Sequence, residues 1–459
     1  MNEHCSDISG KIMRSQIFES MSPARLFVYC VLPGSVSMAT SALYVVVDGM
    51  FVGHYMGHAS LAAANMMWPL LGAVFALAMM IGTGSSVQIA RFLGEKKYLR
   101  ANRTFTVGVC TALLLGVFMC VAGFIFTEPF LRAMGADDET VALSTVYVRS
   151  YLLSGPLVCL YYDVNSYLRI CGLQKYSMYL GIFTSLFNLL LDYIFIVELR
   201  QGIWSASFTT CVSLSIGALA GIWPFVRKKT DLKFTRGLIP YRQFKRLLYS
   251  GFPHFLEESS WSVLMLITNT LLLKAGGSVA VAANAAVMYI GSVVMMLVDG
   301  MVGALQPPLS YCHGANLPLR VLAIEKLLLQ AAGAFSLIVF IVFELFGDYF
   351  IPFYAADGDQ PFIETGTLCM ALVAWRYLFL WVEMALRGFL TALERAGRAF
   401  IISFCNTLLF PAGCVLALSG FGLSGIWTAP GLAAFMSAVL ALILTKKPYA
   451  RLKKGLVLR

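Results

Sequence analysis

Apolar runs of about 20 residues, each long enough to cross a bilayer as a helix, recur along the whole chain. Twelve can be delimited, at 26–52, 62–90, 104–127, 141–168, 177–199, 203–226, 250–273, 280–312, 327–347, 363–386, 399–419 and 423–445. Their length selects helix over strand, because lipid offers a backbone amide no partner outside its own segment. The pattern predicts an all-α integral membrane protein. One polar stretch in the middle, 227–249, stands out as a linker. It divides an N-terminal segment (1–25) and six spans over 26–226 from six spans over 250–445 and a basic tail over 446–459. Residues 1–25 carry Lys11, Arg14 and Arg25 but no apolar core, so the first span is expected to be its own targeting signal.

The two halves echo one another. Pro33 recurs 220 residues later as Pro253, Gly57 as Gly277, Ala62-Ala63 as Ala282-Ala283, Gly94 as Gly314, and Leu99-Arg100 as Leu319-Arg320. The register then shifts by two, so that Asn165-x-x-x-Arg169 falls opposite Glu383-x-x-x-Arg387 and Asn188 opposite Asn406. Gly202-Ile203-Trp204 is echoed by Gly425-Ile426-Trp427. Apolar sequence produces Ala and Leu coincidences freely, whereas Pro, Gly and Arg do backbone and charge work and seldom coincide in one register. Elsewhere the echo fails: Asp48 lies opposite Thr268, Asp192 opposite Phe410, and Glu258 opposite Met38. Such a duplication implies two six-helix, pseudo-symmetric lobes that move against each other around a shared site.

Composition agrees with the spans. Of 459 residues, 59% are hydrophobic and 13% charged, roughly half the charge of a water-soluble chain. The net charge of +10 sits in alternate loops. Arg91, Lys96, Lys97, Arg100 and Arg103 flank the second loop. Arg227, Lys228, Lys229, Lys233, Arg236, Arg242, Lys245 and Arg246 fill the linker, and Lys446, Lys447, Arg451, Lys453, Lys454 and Arg459 the tail. The opposite loops hold Glu128, Asp137, Asp138 and Glu139, then Asp348, Asp357 and Asp359. This is the positive-inside distribution and puts both termini in the cytoplasm of a multi-pass protein. The basic excess is therefore topological, and no nucleic-acid partner is expected. The 11 cysteines lie mostly within apolar runs without C-x-x-C spacing, as small helix-packing residues do.

Ionisable groups inside the apolar runs carry the chemistry. An Asp near a helix centre costs roughly 2.5–3.5 kcal/mol on insertion scales, so several together need a reason. They are Asp48, Asp163 and Asp192 in the first half, and Glu257, Glu258, Asp299 and Glu383 in the second, with Arg376 near a helix end. A carboxylate in low dielectric can take up a proton, or bind Na⁺ when other oxygens surround it. Either way a cation competes for the site, which is the requirement for antiport. Asn188 and Asp192 are i and i+4 and share a helix face. Thr209 and Thr210 in the next span and Asp48 in the first could complete an oxygen ligand set. The alternative is an Asp–Asn pair that locks helices together. Asp163, with Arg169 nearby, suits a structural role. Glu257 and Glu258 differ by about 100° around a helix and cannot both face one cavity; Glu258 is the expected one. Asp299 is a second cavity candidate. Glu383 and Arg387 are i,i+4 and suited to pairing.

Other signals are weaker. Gly49, Gly53 and Gly57 permit close helix approach. His54 and His58 have i,i+4 metal spacing but no third ligand, so no metal site is expected. Tyr161, Tyr162, Met79-Met80 and Met295-Met296 suit an adaptable cavity or plain packing. No nucleotide-binding Gly-rich loop ending in Gly-Lys-Ser/Thr occurs, which argues against ATP-driven transport, and no cofactor is expected.

Taken together, Tyr44-Val-Val-Val-Asp48-Gly-Met-Phe-Val-Gly53-His-Tyr-Met-Gly57, Leu61-Ala-Ala-Ala-Asn65, Pro69, Arg91-Phe-Leu-Gly94 and Met134-Gly135-Ala136 resemble the MATE (multidrug and toxic compound extrusion) family. Asn165-x-x-x-Arg169-x-x-Gly172, Asn188-x-x-x-Asp192, Gly251-Phe-Pro253-His-Phe-Leu-Glu-Glu258, Asn269, Gly276-Gly277 and Gln306-Pro307 through Gly314-Ala315 are similar to its MepA-like branch. The resemblance implies a twelve-helix antiporter, not an enzyme, that exports cationic, lipophilic compounds in exchange for H⁺ or Na⁺. It maps a cation site onto Asp48, Asn188, Asp192 and Thr210, and a helix-7 acid onto Glu258. Asp299, Asn165 and Glu383 join Glu258 as candidates for substrate binding or coupling. The chain departs from the branch at Asn406, where an Arg is common, at Ala433 and Ala434 and at Trp204-Ser205-Ala206. The expected setting is a bacterial or archaeal cytoplasmic (inner) membrane, with lipid around a monomer. The competing reading is a lipid-linked precursor flippase of the related superfamily; a membrane enzyme would need a nucleophile–base set that the scattered histidines do not supply.

Overall fold

The computed structural model describes residues 14–133, 138–354 and 360–456. Asp137, Asp357, Asp359 and Met134-Gly135-Ala136, and the side chains of His54, His58 and Glu139, lie outside the described residues. The N-lobe comprises α1 (Pro23–Met66), α2 (Trp68–Gly94), α3 (Tyr98–Ala133), a bent α4, α5 (Gln174–Asp192) and α6 (Trp204–Val226). Helix α4 is made of Asp138–Leu153 and Gly155–Ile170, joined at 56°. The C-lobe begins with the continuous stretch Tyr241–Gly314, which Gly277 (φ 67, ψ −160) divides into α7 (241–276) and α8 (278–314). It continues with α9 (Pro318–Phe350), α10 (Gln360–Ala392), α11 (396–421) and α12 (Gly422–Lys453), the last two meeting at Gly422 (φ 68).

Among the described residues nine continuous helices are long and apolar enough to cross a membrane, or ten with the bent pair. Two of them, 241–314 and 396–453, each fold back at a glycine, and this restores the expected twelve. Both glycines sit at positive φ with extended ψ, a region essentially closed to residues with a Cβ. The helices overrun the predicted spans. Helix α1 continues to Met66 rather than ending near 52, α7 begins at Tyr241 inside the polar linker, and α12 runs to Lys453. Hydropathy marks only the part of a helix that lipid covers, whereas the backbone ladder continues wherever its own bonds close.

Each lobe has its own apolar interior. In the N-lobe Phe105 of α3 stacks on Phe225 of α6 at 4.9 Å and meets Tyr167 of α4 edge-on at 5.2 Å. Leu114, Phe118, Val121 and Ile125 of α3, and Leu337, Ile338, Ile341 and Leu345 of α9, are exposed. Those faces of the two equivalent helices point away from the bundle, as lipid-facing surfaces do.

The lobes meet at the end that carries the basic loops, and there they meet backbone to backbone. A Cβ on Gly94 would strike the Tyr311 carbonyl, and one on Gly314 would strike the Arg91 carbonyl. Gly84 abuts the Leu247 carbonyl and Gly251 that of Met80. Arg91 pairs with Glu394 across the same seam, and Arg320 Nε donates to the Phe18 carbonyl at 2.7 Å.

Candidate functional site

The N-lobe polar cluster is assembled by three helices. Helix α5 places Asn188 and Asp192 one turn apart, both buried, and passes into a π-helical turn over Tyr193–Glu198 directly after Asp192. Helix α6 supplies Thr209, whose hydroxyl donates to Asp192 Oδ1, and Thr210, whose Oγ1 accepts from Asn188 Nδ2 at 3.4 Å. Helix α1 supplies Asp48, whose carboxyl interacts directly with that of Asp192. Tyr44 and Tyr147 are close electrostatic neighbours of Asp48. The four residues mapped from sequence thus lie together, with Thr209 as a fifth.

Three oxygens of this cluster, Asp48 Oδ1, Asn188 Oδ1 and Asp192 Oδ2, are buried without a hydrogen-bond partner. An orphaned buried acceptor costs about 1–3 kcal/mol, so three in one cluster are well served by a proton shared between the two carboxyls or by a bound cation. Two carboxylates, an amide oxygen and threonine hydroxyls form a hard oxygen set that suits a proton or a monovalent cation.

The C-lobe cluster is organised by an arginine. Arg387 of α10 is 2% exposed and is gripped by Glu257 of α7 through both carboxylate oxygens, at 2.9 and 3.0 Å. Its Nε bonds to Glu383 at 2.8 Å, and Asn406 donates to the other Glu383 oxygen at 3.2 Å. Asn406 itself lies in a π-helical turn of α11, Cys405–Leu409. Glu383 is fully buried with both oxygens engaged. Its neighbour in role, Glu257, faces Arg387 rather than the space between lobes.

Glu258, about 100° further round α7, is exposed and is an electrostatic neighbour of Tyr162 in the opposite lobe. Tyr162 packs edge-on against Phe75 at 4.8 Å and against Tyr161 at 5.4 Å. Asp299 on α8 is partly buried and feels the charges of Arg387 and Arg169 without an ion pair to either. Asn165 is satisfied within its own lobe: Nδ2 donates to the Tyr161 carbonyl at 3.1 Å and Oδ1 accepts from Ser177 at 2.9 Å. Asp163 joins neither cluster. It accepts from Tyr167 at 3.3 Å, and Tyr167 in turn meets Ser85 at 2.8 Å.

Sequence reasoning missed Ser177, Asn406, Tyr44 and Tyr147 as members of these clusters. Asn406 had a signal, its place opposite Asn188 in the repeat; a lone serine or tyrosine in an apolar helix carries none.

The MatE family model matches residues 33–194 and 253–416, one segment in each lobe. Multidrug export protein MepA of Staphylococcus haemolyticus is 24% identical over 416 residues, covering 90% of this chain and 91% of its own. MepA of Staphylococcus saprophyticus is 22% identical over 413 residues, covering 89% and 90%. Among solved structures, the outward-facing conformation of a multidrug resistance MATE family transporter of the MOP superfamily is similar with a TM-score of 0.91. It is 23% identical and covers 97% of this chain and 100% of its own. A MOP superfamily transporter from Pyrococcus furiosus, whose binding pocket is described as reversed in polarity, also gives 0.91 at 23% identity, covering 96% and 99%. With the twelve-helix fold, the internal repeat and a family match in both lobes, this chain belongs to the MatE family of membrane transporters.

Proposed function

We propose that the protein is an antiporter that exports cationic, lipophilic compounds across the cytoplasmic membrane in exchange for H⁺ or Na⁺. The observation that carries this reading is the convergence of Asp48, Asn188, Asp192, Thr209 and Thr210 with three buried oxygens unpartnered. That arrangement offers the oxygen ligands one small cation needs. Cargo is met by Glu258 and Asp299, two C-lobe carboxylates that Arg387 does not chelate, with the Phe75–Tyr161–Tyr162 aromatic group of the N-lobe as a face for a lipophilic cation. The MepA relatives, named as multidrug export proteins, are consistent with such a cargo.

With the basic loops on the cytoplasmic side, the Gly94–Gly314 seam closes that side, which fits an outward-open state. Both termini are then cytoplasmic, and one chain holds both sites, so a monomer suffices. In the outward-open state the Asp48–Asp192 site takes H⁺ or Na⁺, which favours release of cargo. Return to the inward-open state lets cytosolic cargo displace the ion. Coupling requires only that ion and cargo prefer opposite states. A flippase for lipid-linked precursors needs a cationic cavity, whereas Glu257, Glu258, Asp299 and Glu383 outnumber Arg169 and Arg387 here. The test is efflux of a cationic dye from loaded proteoliposomes under separately imposed Na⁺ and H⁺ gradients. Efflux driven by one gradient supports the reading; no efflux under either defeats it.

A further inference from the structure

The repeat sets Arg169 of the N-lobe opposite Arg387 of the C-lobe, yet the two arginines keep different company. Arg387 is gripped by Glu257 and Glu383. The positions opposite those carboxylates are Ser37 and Asn165, which are neutral. Among the described residues Arg169 makes no ion pair with a carboxylate; its Nε donates to Ser177 at 3.4 Å. The acid that acts on its charge is Asp299, on α8 of the other lobe. The backbone makes this approach possible. Gly303 lies one turn from Asp299 on the same helix face, and a Cβ there would stand 3.7 Å from Arg169 Nη1. Gly34 of α1 and Gly300 of α8 draw the lobes together beside it, since a Cβ on Gly34 would lie 3.0 Å from the Gly300 carbonyl oxygen. The guanidinium of one lobe therefore lies against the other lobe's helix, one turn from the position of Asp299, with which it makes no ion pair.

We propose that Arg169 is a tethered cation that expels a cationic cargo from Asp299 when the basic ends of the lobes close. Arg169 is a positioning residue in this role and touches no cargo. When the basic ends part, Arg169 leaves with its own lobe while Arg387 stays, and Asp299, relieved of one of its two cations, gains affinity for a cation on the side from which cargo enters. When they close, the arginine returns and the same carboxylate releases what it held. One site thereby has two affinities, high facing the cytoplasm and low facing out, which is the difference an exporter needs. The inference rests on the export reading above and adds to it the cause of release. For scale, Coulomb's law at an effective dielectric near 20 has a unit charge beyond contact distance, at about 5–10 Å, weaken binding of a monovalent cation by about 10- to 100-fold.

The experiment measures tetraphenylphosphonium binding to purified protein in lipid nanodiscs, and export of the same cation from proteoliposomes. Arg169→Gln is expected to bind the cation about 10- to 100-fold more tightly and to export it more slowly. Arg169→Lys, which keeps the charge, keeps the low affinity, and adding Asp299→Asn to Arg169→Gln removes the gain. A general structural defect would weaken binding rather than tighten it, so unchanged or weaker binding by folded Arg169→Gln overturns the proposal. Should that variant fail to fold, Gly303→Leu decides: it leaves every buried charge in place and pushes the guanidinium off α8, and affinity must rise. Wild-type protein that neither binds nor exports the cation defeats the export reading itself. Binding and export by wild type, without a gain in either variant, defeats only the role of Arg169.

Discussion

The Gly94–Gly314 seam can be opened by two methyl groups. In Gly94→Ala the new Cβ strikes the Tyr311 carbonyl and lies 2.8 Å from Ala315 N; in Gly314→Ala it strikes the Arg91 carbonyl and lies 2.9 Å from that carbon. These neighbours are backbone and cannot rotate away. Overpacking of this kind costs about 1–3 kcal/mol, and it falls only on the state in which the seam is closed. The ratio of closed to parted basic ends should therefore drop by about 5- to 150-fold per substitution. Leu99 and Leu319, equivalent in the repeat and 56% and 67% exposed, flank the seam and suit spin labels once exposed Cys110 is replaced. Dipolar spectroscopy should show a longer distance gaining population in each variant and dominating in the double variant. Gly72→Ala, where nothing lies within 4 Å of the added carbon, should leave the distribution as in wild type. An unchanged distribution in the folded double variant would refute the claim that these glycines set closure.

Three further outcomes are expected. Asp48→Asn and Asp192→Asn should each abolish cation-driven efflux while leaving folded protein in the membrane, and full efflux by both would remove the ion site from this cluster. Arg387→Met should destabilise the protein by about 3–5 kcal/mol in a thermal unfolding assay, because it strands Glu257 and Glu383. Adding Glu257→Gln and Glu383→Gln should restore much of the loss; no recovery would mean that packing, not charge, is at stake. Gly422→Ala, forced to φ 68, should cost about 1–3 kcal/mol and loosen the α11–α12 hairpin, read as faster amide exchange near the turn.

Much of this protein is legible in its residues one at a time. Asp192 stands four residues after Asn188, so a shared helix face follows from helix geometry alone, and both emerge buried on one face. Glu258 could be preferred over Glu257 only by knowing that one of the pair had to turn away; the bidentate grip of Arg387 supplies the reason. Glu383 looked like a cavity acid as long as Arg387 seemed its only company. The bond from Asn406, 23 residues on, closes its last acceptor. Helix ends were the least readable feature, since polar residues 241–249 continue a helix that hydropathy alone would begin at 250.

The sequence by itself determined the twelve spans and the two lobes, and it carries the charge pattern from which the sidedness of the loops is expected. Those properties rest on segment length, apolar transfer and charge count, which are local and sum along the chain. The tertiary structure decided which acids are neutralised and which are left open, and where the lobes touch. An ion pair or a glycine contact needs two segments far apart in the chain to arrive at one place. Arg169 and Arg387 are equals in the repeat, and only the fold surrounds one with carboxylates and leaves the other without an ion pair, under the influence of Asp299 from the other lobe.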